Sequence, residues 1–174
     1  MKKILLIGFR GAGKTSLGKL LANKLKVPFK DADEEIERKC GEQIKDIVEK
    51  WGWKAFRELE KSFLKELIGK KPLVCALGGG AVLHSEEMKL LKEESLIIWV
   101  DANLDEIKRR LKRDSKTLSQ RPALTDLNWE EEIEKIYKER LPLYKNWAHF
   151  RVDTSSKSLE EILEEIENYI NKGG

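Results

Sequence analysis

A glycine-rich run, Gly8-Phe9-Arg10-Gly11-Ala12-Gly13-Lys14-Thr15, sits between an apolar segment and a leucine-striped one. The apolar segment, Lys3 to Ile7, reads as a buried strand. After the run, Leu17, Leu20, Leu21 and Leu25 recur at helical spacing. A G-x-x-x-x-G-K-[ST] run between a strand and a helix is a phosphate-cradling loop. A chance glycine turn would have no reason to carry both flanks. The loop chemistry assigns roles by residue type. Gly11 and Gly13 let the backbone turn tightly, so that N–H groups of the run, that of Ala12 included, aim at phosphate oxygens. Ser16 continues this wall into the helix, whose N-terminal end is positive. Lys14 can reach the β- and γ-phosphates of a nucleotide, and Thr15 offers a hydroxyl to Mg²⁺.

Beyond the loop, apolar runs alternate with helical patterns. Strands are expected at Val27 to Lys30, Pro72 to Leu77, Ser95 to Val100 and Phe150 to Val152. Helices are expected at Glu34 to Lys39, Ile44 to Trp51 and Trp53 to Ile68, split at Gly41 and Gly52. Others fall at Ser85 to Lys92, Leu104 to Lys112, from Asn128 to about Tyr144, and Leu159 to Ile170. The stretch from Arg113 to Asp126 has no hydrophobic period. Five strands with intervening helices imply an α/β fold: a five-stranded parallel sheet with helices on both faces, the P-loop NTPase arrangement. The 174 residues fit a single domain, 1–174. Ligands in such folds bind at the carboxyl ends of the strands. That rule gathers the phosphate loop, Asp31 with Asp33, and Gly78-Gly79-Gly80 into one place.

Composition excludes several other classes. The net charge of +3 comes from 34 basic and 31 acidic residues, so the surface is mixed and no nucleic-acid partner is expected. Cys40 and Cys75 are far apart, and His84 and His149 are scattered, so neither a disulfide framework nor a zinc site is suggested. Structural or surface roles are expected for both histidines. No apolar run reaches membrane-spanning length, so no membrane partner and a cytoplasmic location are expected.

A second layer of residues would choose the acceptor. On an extended segment, Asp31 and Asp33 would point the same way, one carboxylate serving Mg²⁺ and the other an attacking hydroxyl. A helix cap is the competing reading of the same residues. Glu60 lies three residues after Arg57 and could hold its guanidinium for a carboxylate ligand, although a surface ion pair would look the same. Three consecutive glycines make sense where backbone touches a ligand. Arg121-Pro122, in the unpatterned stretch, could belong to a lid that neutralises phosphoryl charge; a solvated arginine is the alternative.

These features together resemble the shikimate kinase family over essentially the whole chain. The resemblance rests on Asp31-x-Asp33, Phe56-Arg57-x-x-Glu60, Gly78-Gly79-Gly80, Arg121-Pro122 and Arg140-x-x-x-Tyr144. It implies ATP-dependent phosphorylation of the shikimate 3-hydroxyl, with ATP as co-substrate and Mg²⁺ as cofactor. Asp33 would contact the reacting hydroxyl. Arg57 and Arg140 would clamp the substrate carboxylate, with Glu60 in support. Gly79 and Gly80 would approach the ring. Thr15 and Asp31 would serve the metal, the latter through water. Lys14, Asp33 and Arg121 would be the catalytic groups. Arg113, Arg121 and Ser155 would complete the ATP site. Substrate-binding helices would span about 33–61 and the lid about 112–126. The partners are then small molecules, shikimate and ATP, and the chain is expected to act as a monomer. Where the family usually has phenylalanine and leucine on the pocket wall, this chain has Val48 and Ala123, and Trp53 could refill the space. A gluconate-type kinase or a non-catalytic nucleotide-binding module are the alternatives. The first needs no arginine pair, and the second has no use for Lys14, Thr15, Asp31 and Asp33 together.

Overall fold

The computed structural model describes residues 1–114 and 122–174. Its strands are β1 (Lys3–Ile7), β2 (Phe29–Asp31), β3 (Val74–Ala76), β4 (Ser95–Asp101) and β5 (Phe150–Asp153). Its helices are α1 (Lys14–Leu25), α2 (Ala32–Cys40), α3 (Ile44–Leu67), α4 (Ser85–Glu94), α5 (Leu104–Arg113), α6 (Trp129–Trp147) and α7 (Leu159–Asn171). The sheet order is β2-β3-β1-β4-β5, with every pairing parallel.

The central strands are apolar on both faces because both faces are covered. In β1, Leu5 and Ile7 join one core with residues of α2 to α6, while Ile4 and Leu6 join a second core with α1 and α7. The period of two in a strand produces this division. Each fully buried aliphatic side chain contributes about 1.5–3 kcal/mol, enough in sum to hold the loops at the strand ends against a rigid base. Among the described residues, no helix is long and apolar enough to cross a membrane.

Local differences from expectation have simple causes. β2 begins at Phe29 rather than Val27. Pro28 has no N–H to give to a ladder, and its carbonyl instead accepts from Val74 N at 2.9 Å. As expected, two helical stretches lie on either side of Gly52 within α3, and the helix breaks at Gly52 itself, which takes φ 85° and ψ 169°. That positive φ is open to glycine without a Cβ penalty. α6 continues past Tyr144 to Trp147 despite Pro142. Its end is pinned by buried Tyr144 and by Trp147 Nε1, which donates to Val82 O at 3.1 Å. A short 3-10 turn, Ala81–Leu83, links the triple glycine to α4.

Candidate active site

Two adjacent cavities open at the carboxyl ends of the strands. The first is bounded by the phosphate loop (Gly11, Gly13, Lys14, Thr15 and Ser16) and by Asp31. The second is lined by Arg57 and Arg140, with Phe9, Trp53, Phe56 and Leu124 among its apolar walls. Asp33, Gly78 and Gly79 line both. A group held in one cavity therefore meets a group held in the other at Asp33.

The phosphate side is built as its motif requires, with Gly13 at the N-cap of α1. Lys14 Nζ donates to the carbonyls of Gly8 at 2.7 Å and Phe9 at 3.0 Å, drawing the loop around itself. Thr15 Oγ1 donates to Asp31 Oδ2 at 2.7 Å. Asp31 is not on an extended segment shared with Asp33. It is the N-cap of α2, and its Oδ1 accepts from Asp33 N at 3.1 Å and Glu34 N at 3.3 Å. The expected i, i+2 alignment is thus replaced by a strand-to-helix turn. Asp31 both caps α2 and bonds Thr15, and Asp33 reaches the shared wall from the first helical turn.

The cationic cavity is tightly built. Arg57 Nη1 donates to Glu60 Oε1 at 2.9 Å, and Glu60 is 1% exposed. A Cβ on Gly80 would lie 2.2 Å from Arg57 Nη1, and one on Gly78 would lie 2.9 Å from both Asp33 Oδ1 and Glu60 Oε2. Any side chain at these two glycines would displace the groups that face the cavity. Burial lowers the Arg140 pKa from its usual value; Tyr144 opposes this shift and the Arg57 charge adds to it. Arg140 remains a cation, because guanidinium does not deprotonate in proteins. Two cations that line one cavity favour an anion between them. Tyr144, its own pKa raised by burial, donates to Gly79 O at 2.7 Å and holds the glycine turn against α6.

The other residues expected at the ATP site lie at the rim of the phosphate side or outside the described residues. Arg113 is exposed at the end of α5. Arg110, one turn earlier, is the arginine that meets the phosphate loop. Its Nη1 donates to Gly11 O and Ala12 O, each at 3.2 Å, and to Thr154 Oγ1 at 2.9 Å. Ser155 Oγ accepts from Asn103 N at 2.8 Å, tying the loop after β5 to the start of α5. Arg121 lies outside the described residues, as does the 115–121 part of the lid expected at 112–126. Val48 and Ala123 do not line the cavity. Leu124 does, while Ala123 supplies only a carbonyl, which accepts from Trp53 Nε1 at 3.0 Å. Trp53 stands on the wall, its ring 5.3 Å from the Arg57 guanidinium carbon, whereas Trp51 is 70% exposed. Arg10 also lines this cavity, 3.8 Å from the buried Glu132. It occupies a position the loop motif leaves unspecified, so its role carried no sequence signal.

A phosphate loop that shares a wall with a cationic pocket, on this sheet order, defines a P-loop phosphotransferase with a small anionic acceptor. The family model described as shikimate kinase matches residues 10–171. A shikimate kinase of Thermodesulfovibrio yellowstonii is 43% identical over 95% of this chain and 93% of its own length. That of Enterococcus faecalis is 41% identical over 95% and 96%. The structure of shikimate kinase from Acinetobacter baumannii in complex with shikimate superposes with a TM-score of 0.90, at 35% identity over 99% of this chain and 94% of that one. A gluconokinase from Sinorhizobium meliloti is 16% identical with a TM-score of 0.55, a likeness of fold alone. The chain belongs to the shikimate kinase family.

Proposed function

We propose that this chain is a cytoplasmic, Mg²⁺-dependent shikimate kinase. It would transfer the γ-phosphoryl group of ATP to the 3-hydroxyl of shikimate, giving shikimate 3-phosphate and ADP on the route to chorismate and the aromatic amino acids. The observation that carries this reading is the shared wall. Asp33, Gly78 and Gly79 face both the phosphate loop and the cavity of Arg57 and Arg140.

Backbone N–H groups from Gly11 to Ser16 would receive the ATP phosphates, and Lys14 would turn from its loop carbonyls toward them. Arg57 and Arg140 would grip the acceptor carboxylate and so fix the ring. That grip sets one ring hydroxyl beside Asp33, which takes its proton as the new O–P bond forms and the bond to the β-phosphate oxygen breaks. Orientation of this kind supplies much of the rate, since phosphoryl transfer asks little covalent chemistry of the protein.

The Thr15 hydroxyl and Asp31 carboxylate, 2.7 Å apart, are hard oxygen donors that fit Mg²⁺. They would hold it with the phosphates and water, the usual arrangement for this ion where no all-protein cage exists. Among the described residues no such cage is formed. When bound, the ion would neutralise charge on the phosphates.

A coupled ADP-release assay over a panel of hydroxy acids tests the acceptor. Turnover is expected with shikimate and not with gluconate; the reverse would defeat the assignment. Arg57→Ala and Arg140→Ala should each weaken shikimate binding by about 2–5 kcal/mol, with far less effect on ATP. Glu60→Ala should weaken it less, by releasing Arg57. Calorimetric titration of both ligands reads the difference, and equal losses for the two would point to unfolding instead.

Tryptophan fluorescence should change when shikimate binds, because Trp53 lines the cavity against Arg57. Trp53→Phe should abolish the change, and Trp51→Phe should keep it. A signal that follows Trp51 would remove Trp53 from the binding wall.

A further inference from the structure

His84 lies outside every motif of the site, yet its side chain is only 11% exposed. It is the N-cap residue of α4, where serine, threonine, aspartate or asparagine is preferred, and its side chain makes no capping bond. Instead its Nε2 lies 2.9 Å from Glu60 Oε1. A carboxylate only accepts, so Nε2 carries the proton and donates. The same Oε1 also takes Arg57 Nη1 at 2.9 Å. Glu60 Oε2 is buried with no hydrogen-bond partner among the described residues.

We infer that His84 is a positioning residue for the acceptor carboxylate, acting on Arg57 through Glu60. This inference rests on the reading that Arg57 binds that carboxylate. With His84 in place, the Glu60 carboxylate is held between two donors, and one of its oxygens engages one nitrogen of Arg57. Arg57 lines the cavity, and its guanidinium packs on Gly80, whose missing Cβ gives it room; the nitrogens that Glu60 does not hold are left for a ligand. Without the imidazole donor, the carboxylate can rotate and bring Oε2 to Arg57 as well. Paired oxygens on a guanidinium are the stronger arrangement, and the fork would then be occupied by Glu60 rather than by substrate. His84 thus keeps the internal ion pair single-pointed, leaving the fork for the incoming carboxylate. The 3-10 turn Ala81–Leu83 fixes the spacing, since it carries the chain directly from Gly80 to His84.

The test uses the full chain with His84→Leu and His84→Gln, alone and in an Arg57→Ala background. Glutamine can present an N–H near the position of Nε2; leucine fills the space without a donor. His84→Leu should raise the KM for shikimate about tenfold, with kcat and the KM for ATP changed less than about threefold, the size of one lost hydrogen bond to a charged group. His84→Gln should restore the shikimate KM to within about threefold of the unmodified chain, by the same donor argument. In the Arg57→Ala background, His84→Leu should have no further effect on it, because the path runs through Arg57. Equal effects of leucine and glutamine, an unmoved KM in both, or an effect that persists without Arg57 would each overturn the role of His84. If the unmodified chain fails to turn over shikimate, the substrate reading falls and this inference with it. Normal turnover with unmoved variants defeats only the role of His84.

Discussion

Lys14→Met is expected to lower kcat by about 10²–10³-fold, the usual loss when one preorganised group is removed from developing charge. In the structure, Lys14 Nζ is held by the carbonyls of Gly8 and Phe9, so the side chain has two tasks. It shapes the phosphate loop through those carbonyls, and in the proposed reaction it would supply positive charge to the phosphates. Methionine keeps the length and apolar stem of the side chain but can do neither. Lys14 is half-exposed and belongs to neither apolar core, so the fold itself should persist. The expected pattern is therefore a collapsed kcat with an intact far-ultraviolet circular dichroism spectrum and a cooperative thermal transition. Near-normal turnover in a folded variant would remove Lys14 from the reaction.

The parts of this molecule that were legible in its sequence are those whose physics is local. β1, the phosphate loop and α1 are contiguous, and their pattern needs nothing from the rest of the chain. The pair Arg57 and Glu60 was legible because residues three apart on a helix are neighbours. Asp31 and Asp33 were harder. The same residues suit an extended segment or a helix start, and only the length of β2, which stops at Asp31, decides for the cap. The different surroundings of Arg110 and Arg113 follow from helix phase. Ile107 and Leu111 mark the buried side of α5, which lies near Arg110 and turns away from Arg113. The apolar stripe of α5 therefore tells the two arginines apart. The contact of His84 with Glu60 spans 24 positions and depends on how α3 and the turn after β3 pack together. No local pattern encodes it. Trp53 and Leu124 both line the cavity, whereas Val48 and Ala123 do not, a pairing of residues far apart in the chain that no local pattern encodes.

Asp33→Asn should lower kcat by about 10²–10⁴-fold, the range for loss of a general base, while ATP affinity stays nearly unchanged. The placement of Asp33 argues for this. It lies in the first turn of α2 and lines both cavities, with Oδ1 2.9 Å from where a Cβ on Gly78 would stand. A hydroxyl held over Gly78 and Gly79 by the proposed grip of Arg57 and Arg140 would meet that oxygen. An amide has nearly the same shape, so the acceptor should still bind, but it cannot take the proton that must leave as the O–P bond forms. Asp31→Asn provides the contrast. Asparagine caps helices about as well as aspartate, so α2 should remain capped. The charge beside Thr15 would be lost, and the variant should need more Mg²⁺ for half-maximal turnover. Kinetics over a Mg²⁺ series separate the two positions. A large kcat loss at fixed Mg²⁺ dependence is expected for Asp33, and a displaced Mg²⁺ curve for Asp31. If Asp33→Asn instead weakens ATP binding or shifts the Mg²⁺ curve, Asp33 belongs to the metal side and the proton must leave by another route.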